Sequence, residues 1–521
     1  MNPLRSRSRR RSPNYSCYMQ RRTFLRATAA AAAFAPSAAP GSARLPNFVV
    51  IYADDLGYGD LSCYGATAHR TPRLDKLARE GVRFTNFYVP TPYCAPSRSS
   101  LLTGRYPFRN TMVFNPAPDS GLNSFGLPAA EVTIAEALKS KGYASACIGK
   151  WHLGHTPRFL PTTQGFDEYY GILYSNDMRP VQLVANDKVA RYPVVQSQLT
   201  REYTDRAIGF LERHRDRPFF LYLPHAMPHK PLAASEEFYT PSTPGDLYSD
   251  VIRELDHHCG RLFDALDRLQ LTGNTVVIFA SDNGPWFGGS TAGLRGMKAS
   301  SWEGGIRVPM IARWPGRIPA GRVCHEIAGV IDLLPTLCSL AGAPLPKDRF
   351  LDGKSIVPLL TEAGAASPHE AIFSMFGPKL STVRAGKWKL HVLAPAPGPS
   401  YQESAQAAGW IDPRGPDGLT LIAQHEQARP DQYPGLRTGD EPRPMMLFDL
   451  EADPGEQRNV AAQHPTVVAR LKALFDATNK DVPVISQAER HGAGGIQRLQ
   501  GGELRYDRLA TPAGPVAGQA P

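Results

Sequence analysis

The stretch NFVVIYADD, Asn47–Asp55, decides the fold of this chain. Seven residues with the length and apolar character of a β-strand lead directly into two aspartates, and a glycine-rich turn follows. The pattern predicts a strand over residues 47–53, with Asp54 and Asp55 where that strand ends. Ligands of open α/β sheets bind beyond the carboxyl ends of the strands, so the two aspartates are candidate site residues.

Strand-like and helix-like segments alternate downstream of this stretch. Apolar runs of strand length lie at residues 144–148, 219–223 and 275–280, and helical patterns lie at residues 72–80, 133–142 and 249–270. The alternation predicts an α/β domain over residues 45–370, with a sheet that helices cover on both faces. Each of the three further strands leads into a segment of polar residues, which again marks the strand ends as candidate sites.

The pattern changes after Ile372. A hairpin is predicted at residues 383–392, a strand at 447–450 and a helix at 464–478, which together indicate a small α+β domain with an antiparallel sheet over residues 371–486. Residues 394–444 are rich in Pro, Gly and Gln and are predicted to be a long surface excursion. Residues 487–521 are rich in Gly, Ala and Pro and are predicted to be a disordered tail.

The first 44 residues differ from the rest in charge. They hold nine arginines and no lysine or acidic residue, so the net charge of +10 leaves the remainder near +1. Arg21 and Arg22 form a twin-arginine pattern, which an alanine-rich apolar run and small residues typical of signal-peptidase sites follow. We therefore predict a twin-arginine export signal over residues 1–44, with Met19 as the hypothetical true start. The mature protein is expected to be periplasmic or secreted.

The remaining composition argues against several classes of protein. A near-neutral body gives no reason to expect binding to nucleic acid. No run of about 18 strongly apolar residues is present that could span a bilayer. Seven cysteines without a CxxC pair do not form a dense disulfide framework. We expect no nucleic-acid partner and no stable membrane insertion.

Cys94 precedes a segment with helix signals. Pro96 suits the first position of a helix and Gly104 the residue after its end, so Cys94 is predicted just before a helix N-terminus, where an anion is favoured. Arg98 then lies one turn along on the same side. A structural cysteine and a thiolate nucleophile are the alternatives. Nearby aspartates would disfavour a thiolate.

Acidic and amide side chains follow two of the predicted strands. Asp54 and Asp55 follow the first, and Asp282 and Asn283 follow the strand at 275–280. All four offer hard oxygen ligands, which suit Ca²⁺ or Mg²⁺ better than zinc. Three carboxylates more than offset a dication, so further cations are needed if this site is to hold an anion.

The segment CAPSRSSLLTGR, Cys94–Arg105, resembles the signature of the type I sulfatases, in which the cysteine is oxidised to Cα-formylglycine. The resemblance continues through Gly149–Gly154 and covers most of residues 45–480. Gly165-Phe166 and Tyr174–Asp177 are most similar to the branch of arylsulfatase A and N-acetylgalactosamine-6-sulfatase. The resemblance to the type I sulfatases implies an alkaline-phosphatase-like sandwich, with a large central mixed sheet flanked by helices.

The resemblance also implies roles for the site residues. Ca²⁺, more than Mg²⁺, is expected between Asp54, Asp55, Asp282, Asn283 and formylglycine-94. Arg98 and Lys150 are expected to hold the hydrated aldehyde, with His152 beside it. His229 and Lys298 match positions that bind sulfate and protonate the leaving oxygen, and Ser175 matches a sulfate-contacting serine. Asn176 stands where arylsulfatase A has histidine, so this edge of the site departs from that pattern.

The implied reaction is hydrolysis of a sulfate ester to an alcohol and inorganic sulfate. One hydroxyl of the hydrated aldehyde attacks sulfur, and His152 then takes a proton from the other hydroxyl so that sulfate is expelled. The expected substrate is an aryl sulfate or the sulfate of a terminal sugar. The expected partners in maturation are a formylglycine-generating enzyme and the twin-arginine export machinery.

Three other functions are compatible with parts of the sequence. A phosphonate monoester or phosphodiester hydrolase could use the same nucleophile and metal. A carbohydrate-binding relative with an unconverted Cys94 would have no need of the acid and base residues. A cysteine hydrolase would be inactivated by thiol alkylation. An assay of an aryl sulfate against an aryl phosphodiester separates the first alternative from the sulfatase.

Overall fold

The strand predicted from the opening stretch lies near the middle of a large mixed sheet. The computed structural model describes residues 44–116, 125–178, 181–192, 194–239, 247–286, 288–396 and 438–484. Residues 1–43 of the predicted export signal, the tail after residue 486 and most of the predicted excursion at 394–444 lie outside the described residues. Among the described residues, six cysteines are free thiols, and no helix has the length and apolarity to cross a membrane.

The main sheet has eleven strands in the part of the chain that the structure describes. In chain order they are β1 (Asn47–Ala53), β2 (Val82–Tyr88), β3 (Ala144–Ile148), β4 (Glu168–Gly171), β5 (Leu183–Ala185), β6 (Lys188–Arg191), β7 (Phe219–Pro224), β8 (Thr275–Ser281), β9 (Arg307–Arg313), β10 (Arg322–Cys324) and β11 (Ala328–Gly329). Their order across the sheet is β10-β2-β9-β8-β1-β7-β3-β4-β5-β6, and β11 also pairs with β2. The central strands β8, β1, β7 and β3 are all parallel, whereas β9 is antiparallel to both β8 and β2.

Two apolar cores cover the two faces of this sheet. Alternate residues of β1 point to opposite faces: Phe48, Val50 and Tyr52 belong to one core, and Val49 and Ile51 belong to the other. Every residue of β1 is buried, as expected for a parallel strand with helices on both faces. This explains why the strand is continuously apolar instead of alternating.

Ten helices flank the two sheets within the described ranges. They are α1 (Pro72–Arg79), α2 (Cys94–Thr103), α3 (Pro107–Asn110), α4 (Ile134–Lys139), α5 (Leu199–His214), α6 (Leu247–Arg268), α7 (Glu303–Ile306), α8 (Leu333–Ala341), α9 (Val357–Thr361) and α10 (Pro465–Asn479). The sequence explains why α4 starts where it does. Thr133 and Glu136 form a capping box, in which each side chain accepts a hydrogen bond from the other residue's backbone N–H.

A second, antiparallel sheet follows the main one. Its strands β12 (Ile372–Phe376), β13 (Lys379–Ala385), β14 (Trp388–His391) and β15 (Met446–Asp449) pair in chain order. Helix α10 packs its Leu471 and Phe475 into the apolar core under this sheet. The predicted fold class, a helix-flanked mixed sheet followed by a small antiparallel sheet, is confirmed.

Helix α2 differs in one respect from its prediction. Cys94 is the first residue of the helix, with Tyr93 as the extended residue before it, and Pro96 is the third residue instead of the first. A proline is tolerated anywhere in the first turn because those N–H groups have no intrahelical partner. The predicted end is correct: Gly104 has φ 69° and its N–H caps the Ser100 carbonyl.

Candidate active site

The polar segments converge because four neighbouring strands are parallel. Their order is β8, β1, β7 and β3, so their carboxyl ends meet at one edge of the sheet. There, Asp282 follows β8, Asp54 and Asp55 follow β1, and Lys150 follows β3 at a distance of two residues. Residues far apart in sequence thus face one buried site, as open α/β sheets predict.

The backbone at these strand ends is tightly constrained. Asp55 and His152 both adopt left-handed conformations, with φ 63° and 60°, which cost side-chain-bearing residues free energy and are found where the surroundings enforce them. Gly149 has φ 133°, and a Cβ there would lie 1.8 Å from the carbonyl oxygen of Pro224. Only glycine fits at that position, and it allows the Lys150 N–H to donate to the same carbonyl at 2.7 Å.

The Cys94 thiol lies against the two aspartates of β1. Its Sγ is 3.5 Å from Asp54 Oδ1 and 4.0 Å from Asp55 Oδ1, and the residue is 1 % exposed. Burial raises the pKa of the Cys94 thiol well above its usual value, and the charges of Asp282 and Asp54 add to that effect against the opposing Lys150 and Lys298. The unmodified cysteine is therefore a protonated thiol, which is a poor nucleophile.

Three basic side chains pair with the three aspartates. Arg98 donates from Nε and Nη2 to Asp282 Oδ2 at 3.0 and 2.7 Å. Lys150 Nζ lies 2.5 Å from Asp54 Oδ2. Lys298 Nζ lies 2.8 Å from Asp55. Buried charges persist only when they are paired in this way.

The carboxylates have unequal proton affinities. Burial alone would raise the pKa of Asp54, but Lys150, His229 and Arg98 outweigh it and hold that pKa well below its usual value. Burial and the negative charge of Asp54 raise the pKa of Asp282 to about 7, in spite of Arg98. A bound cation would reduce the electrostatic repulsion between carboxylates as close together as these.

The two ring nitrogens of His152 differ in their hydrogen bonding. Its Nε2 lies 3.2 Å from the carbonyl oxygen of Pro116, which can only accept a hydrogen bond. Its buried Nδ1 has no hydrogen-bond partner among the described residues. Burial, reinforced by Lys150 and Arg98, lowers the pKa of His152 well below its usual value. The ring is thus neutral, with a proton on Nε2 and a lone pair on Nδ1.

His229 is oriented by a different set of contacts. Its Nδ1 lies 3.0 Å from Asn176 Oδ1 and 2.5 Å from the Lys230 carbonyl oxygen, so Nδ1 carries the proton and donates. Its Nε2 points to Asp55 Oδ2 at 3.7 Å. Burial and then Lys298 lower the pKa of His229. Asn176, the residue that departs from the arylsulfatase A pattern, therefore orients His229.

Ser175 joins the two sides of the site. Its Oγ accepts from Lys150 Nζ at 3.0 Å and lies 3.4 Å from His229 Nδ1. Every predicted site residue thus lies at this sheet edge: Asp54, Asp55, Cys94, Arg98, Lys150, His152, Ser175, His229, Asp282, Asn283 and Lys298. All are buried except for the partly exposed Lys298.

Asp177 belongs to the same group and was not among the predicted residues. Burial would raise its pKa, but the charges of His229 and Lys150 and a hydrogen bond from Ser175 hold that pKa below its usual value. It therefore adds a fourth carboxylate to the site. Its position two residues after Ser175 was the available signal.

The residues fit a hard divalent cation. Ligand atoms of Asp54, Asp55, Cys94 and His229 all lie within 4.8 Å of one another. Asn283 donates from Nδ2 to Asp55 Oδ1 at 2.7 Å, and its buried Oδ1 has no partner among the described residues. An unpartnered amide oxygen beside clustered carboxylates is the donor chemistry that Ca²⁺ or Mg²⁺ requires. His229 lies in this group although it was not predicted as a ligand.

Comparison with protein families gives two matches. A family model described as "Sulfatase" matches residues 46–343. A second, described as "C-terminal region of aryl-sulfatase", matches residues 367–494. The two models together span both sheets.

Curated relatives match across most of the chain. Human arylsulfatase A is 40% identical over 475 residues, which cover 83% of this chain and 87% of the relative. The N-acetylgalactosamine-6-sulfatase of Canis lupus familiaris is 36% identical over 483 residues, which cover 87% of each chain.

A solved structure of similar fold is the PsFucS1 sulfatase from Pseudoalteromonas sp. It superposes with a TM-score of 0.69 at 24% identity and covers 84% of this chain and 91% of that one. At this identity the likeness concerns the fold alone, and it agrees with the predicted alkaline-phosphatase-like sandwich.

Proposed function

The chain belongs to the sulfatase family and is a sulfuric ester hydrolase, and we propose that it cleaves sulfate esters with a formylglycine made from Cys94 and a bound divalent metal. The resemblance to arylsulfatase A and N-acetylgalactosamine-6-sulfatase is confirmed. The observation that carries the proposal is the buried Cys94 thiol in contact with Asp54 and Asp55.

Conversion to formylglycine explains why a cysteine lies buried against two aspartates. A thiolate is disfavoured here, so a cysteine hydrolase is not supported. A hydrated aldehyde at position 94 would supply one hydroxyl to attack sulfur and a second through which sulfate can leave. Arg98 and Lys150 both pair with Asp54, which contacts Cys94, so these cations can hold the oxygens of the converted residue.

The proposed metal is Ca²⁺, with Mg²⁺ as the alternative. Asp54, Asp55, Asp282 and Asn283 would hold it, together with an oxygen of residue 94. When bound, a divalent cation supplies positive charge that polarises sulfate oxygens and favours an anionic hydroxyl beside it. Lys150, Lys298 and Arg98 would then be released in part from the carboxylates and could face sulfate oxygens.

Two residues would handle protons. The unprotonated Nδ1 of His152 has no hydrogen-bond partner among the described residues, so it can act as the general base that removes the proton from the second hydroxyl. The proton of the leaving alcohol comes from Lys298 or His229. The tautomer of His229 favours Lys298, because the Nε2 atom of a neutral His229, which points to Asp55, carries no proton. Burial would lower the pKa of Lys298, but Asp55 outweighs it and keeps the lysine charged.

The substrate is proposed to be an aryl sulfate or a single terminal sulfate on a sugar. The site residues are almost completely buried, so a sulfate has to enter end-on. The near-neutral body does not favour tracking along a polyanion. The names of the two relatives, arylsulfatase A and N-acetylgalactosamine-6-sulfatase, indicate an aryl sulfate and a sulfated sugar as their substrates. Export by the twin-arginine route, after conversion of Cys94 in the cytoplasm, is part of this proposal. A folded precursor with unmodified Cys94 that matures only after export would contradict it.

Mass spectrometry of the tryptic peptide that spans residues 84–98 tests the proposal. Conversion of CH₂SH to CHO lowers the mass by about 18 Da and gives an aldehyde that hydrates. An unmodified thiol in active protein from its native host would refute the formylglycine mechanism. Parallel assays with an aryl sulfate and an aryl phosphodiester separate the sulfatase from the phosphonate or phosphodiester hydrolase. The proposal requires the sulfate to be the better substrate.

A further inference from the structure

The segment that carries Lys298 is held at both ends. We call residues 295–303 the lysine loop. It leaves the main sheet after β8, presents Lys298 to Asp55, and returns through α7 into β9. The loop closes on itself where the Gly304 N–H donates to the Arg295 carbonyl at 2.7 Å. Its outer side contacts the second sheet.

Glu456 binds both ends of the lysine loop. Its backbone carbonyl accepts from Arg295 Nη1 at 3.1 Å, at the start of the loop. Its side-chain Oε2 accepts from the Glu303 N–H at 2.6 Å, at the end of the loop. The residue is 0 % exposed. One residue from the far C-terminal part of the chain therefore connects the two ends of a loop more than 150 positions earlier.

Strand β14 fixes the Glu456 carboxylate. Lys389 Nζ lies 3.0 Å from Glu456 Oε1, and His391 Nε2 lies 2.6 Å from the same oxygen. Lys389 also donates to Glu303 Oε1 and to the carbonyl of Ser301, each at 2.9 Å. These groups are buried, so removal of any one charge leaves another unpaired in a medium of low polarity.

The middle of the loop is fixed by its backbone. The Lys298 N–H donates to the Pro285 carbonyl at 3.0 Å, and the Ala299 N–H to the Pro92 carbonyl at 3.1 Å. Ala299 has φ 66° and Glu456 has φ 52°, both left-handed. Residues with side chains keep such conformations only where surrounding contacts enforce them. The position of Lys298 therefore depends on these contacts in the middle of the loop together with the Glu456 contacts at its two ends.

We infer that Glu456 is a positioning residue, which acts through the lysine loop to hold Lys298 beside the reacting group. The second sheet thereby becomes part of the active-site scaffold. The inference rests on the proposed catalytic role of Lys298. Displacement of a catalytic group by about 1 Å can cost on the order of 10²-fold in rate, so loss of the Glu456 contacts should be visible in kcat.

The test is a double-mutant cycle between Glu456→Gln and Lys298→Ala, with kcat measured on phenyl sulfate, whose poor leaving group needs a general acid. Glutamine keeps an acceptor for the Glu303 N–H but loses the ion pair to Lys389. We expect Glu456→Gln to lower kcat by about 10-fold or more in the wild-type background, in line with a small displacement of Lys298. In the Lys298→Ala background the same change should have almost no effect, because there is no lysine left to misplace.

Lys387→Ala is the matched control. Lys387 lies in the turn between β13 and β14, where its partly exposed side chain pairs with Asp449 at 2.6 Å. It should leave kcat unchanged. Equal factors for Glu456→Gln in both backgrounds, or no loss of kcat in the wild type, would overturn the inference. Wild-type kcat in Lys298→Ala itself would instead overturn the proposed role of Lys298.

Discussion

The Nε2 atom of His152 donates to the carbonyl oxygen of Pro116 across 3.2 Å, and this contact fixes the protonation of the other ring nitrogen. Since a carbonyl can only accept, the proton of the neutral ring stays on Nε2 and the lone pair on Nδ1 faces the site. Burial keeps the ring neutral by lowering its pKa. His152 is therefore prepared to accept a proton before substrate arrives.

Replacement of His152 by alanine should separate the two halves of the reaction. Without a base, the alcohol is still released at a near-normal rate in the first step, but the release of sulfate in the second step becomes slow. We expect a burst of about one equivalent of phenol per site, followed by a steady rate lower by about 10²- to 10⁴-fold. Rapid-quench measurement of the phenol and of inorganic sulfate checks both phases.

His69→Asn controls for the loss of a buried imidazole. His69 hydrogen-bonds Ser249 and the Asp60 carbonyl and contacts none of the predicted site residues. This variant should show no burst. A His152→Ala enzyme in which the phenol and sulfate steps slow together would contradict the assignment of His152 to the second step.

Lys298→Ala should make the rate depend on the leaving group. A general acid matters most when the departing alcohol is a poor leaving group, so kcat for phenyl sulfate should fall by about 10²- to 10⁴-fold. The fall for 4-nitrophenyl sulfate should be much smaller, because nitrophenolate leaves without a proton. Plots of log kcat against the pKa of the phenol measure the change in slope.

His229→Gln provides the comparison for Lys298→Ala. His229 also points to Asp55, but in its neutral form Nε2 has no proton to give. We expect it to raise KM more than it steepens the leaving-group slope. A steep slope in His229→Gln and a flat one in Lys298→Ala would exchange the two roles.

Much of this site could be predicted because its residues lie in short contiguous motifs. The apolar run before Asp54 and Asp55 fixes both the strand and the position of the aspartates at its end. The same holds for Asp282 after β8. Parallel strands then bring these ends together without further information.

The parts that could not be predicted depend on contacts between distant segments. Nothing near Glu456 in sequence indicates that it binds Arg295 and Glu303. The place of Asp177 in the site depends on the charges of His229 and Lys150, which come from other segments of the chain. The start of α2 at Cys94 was misplaced because a proline fits any position of a first turn.

Cys94→Ser should abolish sustained turnover. A serine hydroxyl can attack sulfur, but it has no second hydroxyl to expel the sulfate, so at most one equivalent of alcohol should form per site. Cys94→Ala should form none. Both variants should still fold, since serine and alanine are no larger than the buried cysteine and cause no clash, which thermal unfolding checks. Sustained wild-type turnover by Cys94→Ser would refute the mechanism.

Acid should loosen the contact between the second sheet and the lysine loop. Burial, with Lys389, lowers the pKa of His391 from 6.5 to about 4, so the folded protein binds fewer protons here than the unfolded chain between these values. This stability is fully present above about pH 6.5 and is lost as the pH falls toward 4. Burial would raise the pKa of Glu456, but Lys389 and His391 outweigh it and lower that pKa from 4.5 to about 2. The loss of stability therefore continues as the pH falls from 4.5 toward 2.

His391→Gln tests the first of these windows, because glutamine keeps a donor to Glu456 but does not titrate. One proton of difference changes the free energy of unfolding by about 1.4 kcal/mol per pH unit. Urea unfolding between pH 6.5 and 4.5 should therefore show a slope that is smaller by up to this amount in the variant than in the wild type. His69→Asn should keep the wild-type slope, since His69 contacts Ser249 and the Asp60 carbonyl and not Glu456. Parallel curves for wild type and His391→Gln would show that His391 is not the group that titrates.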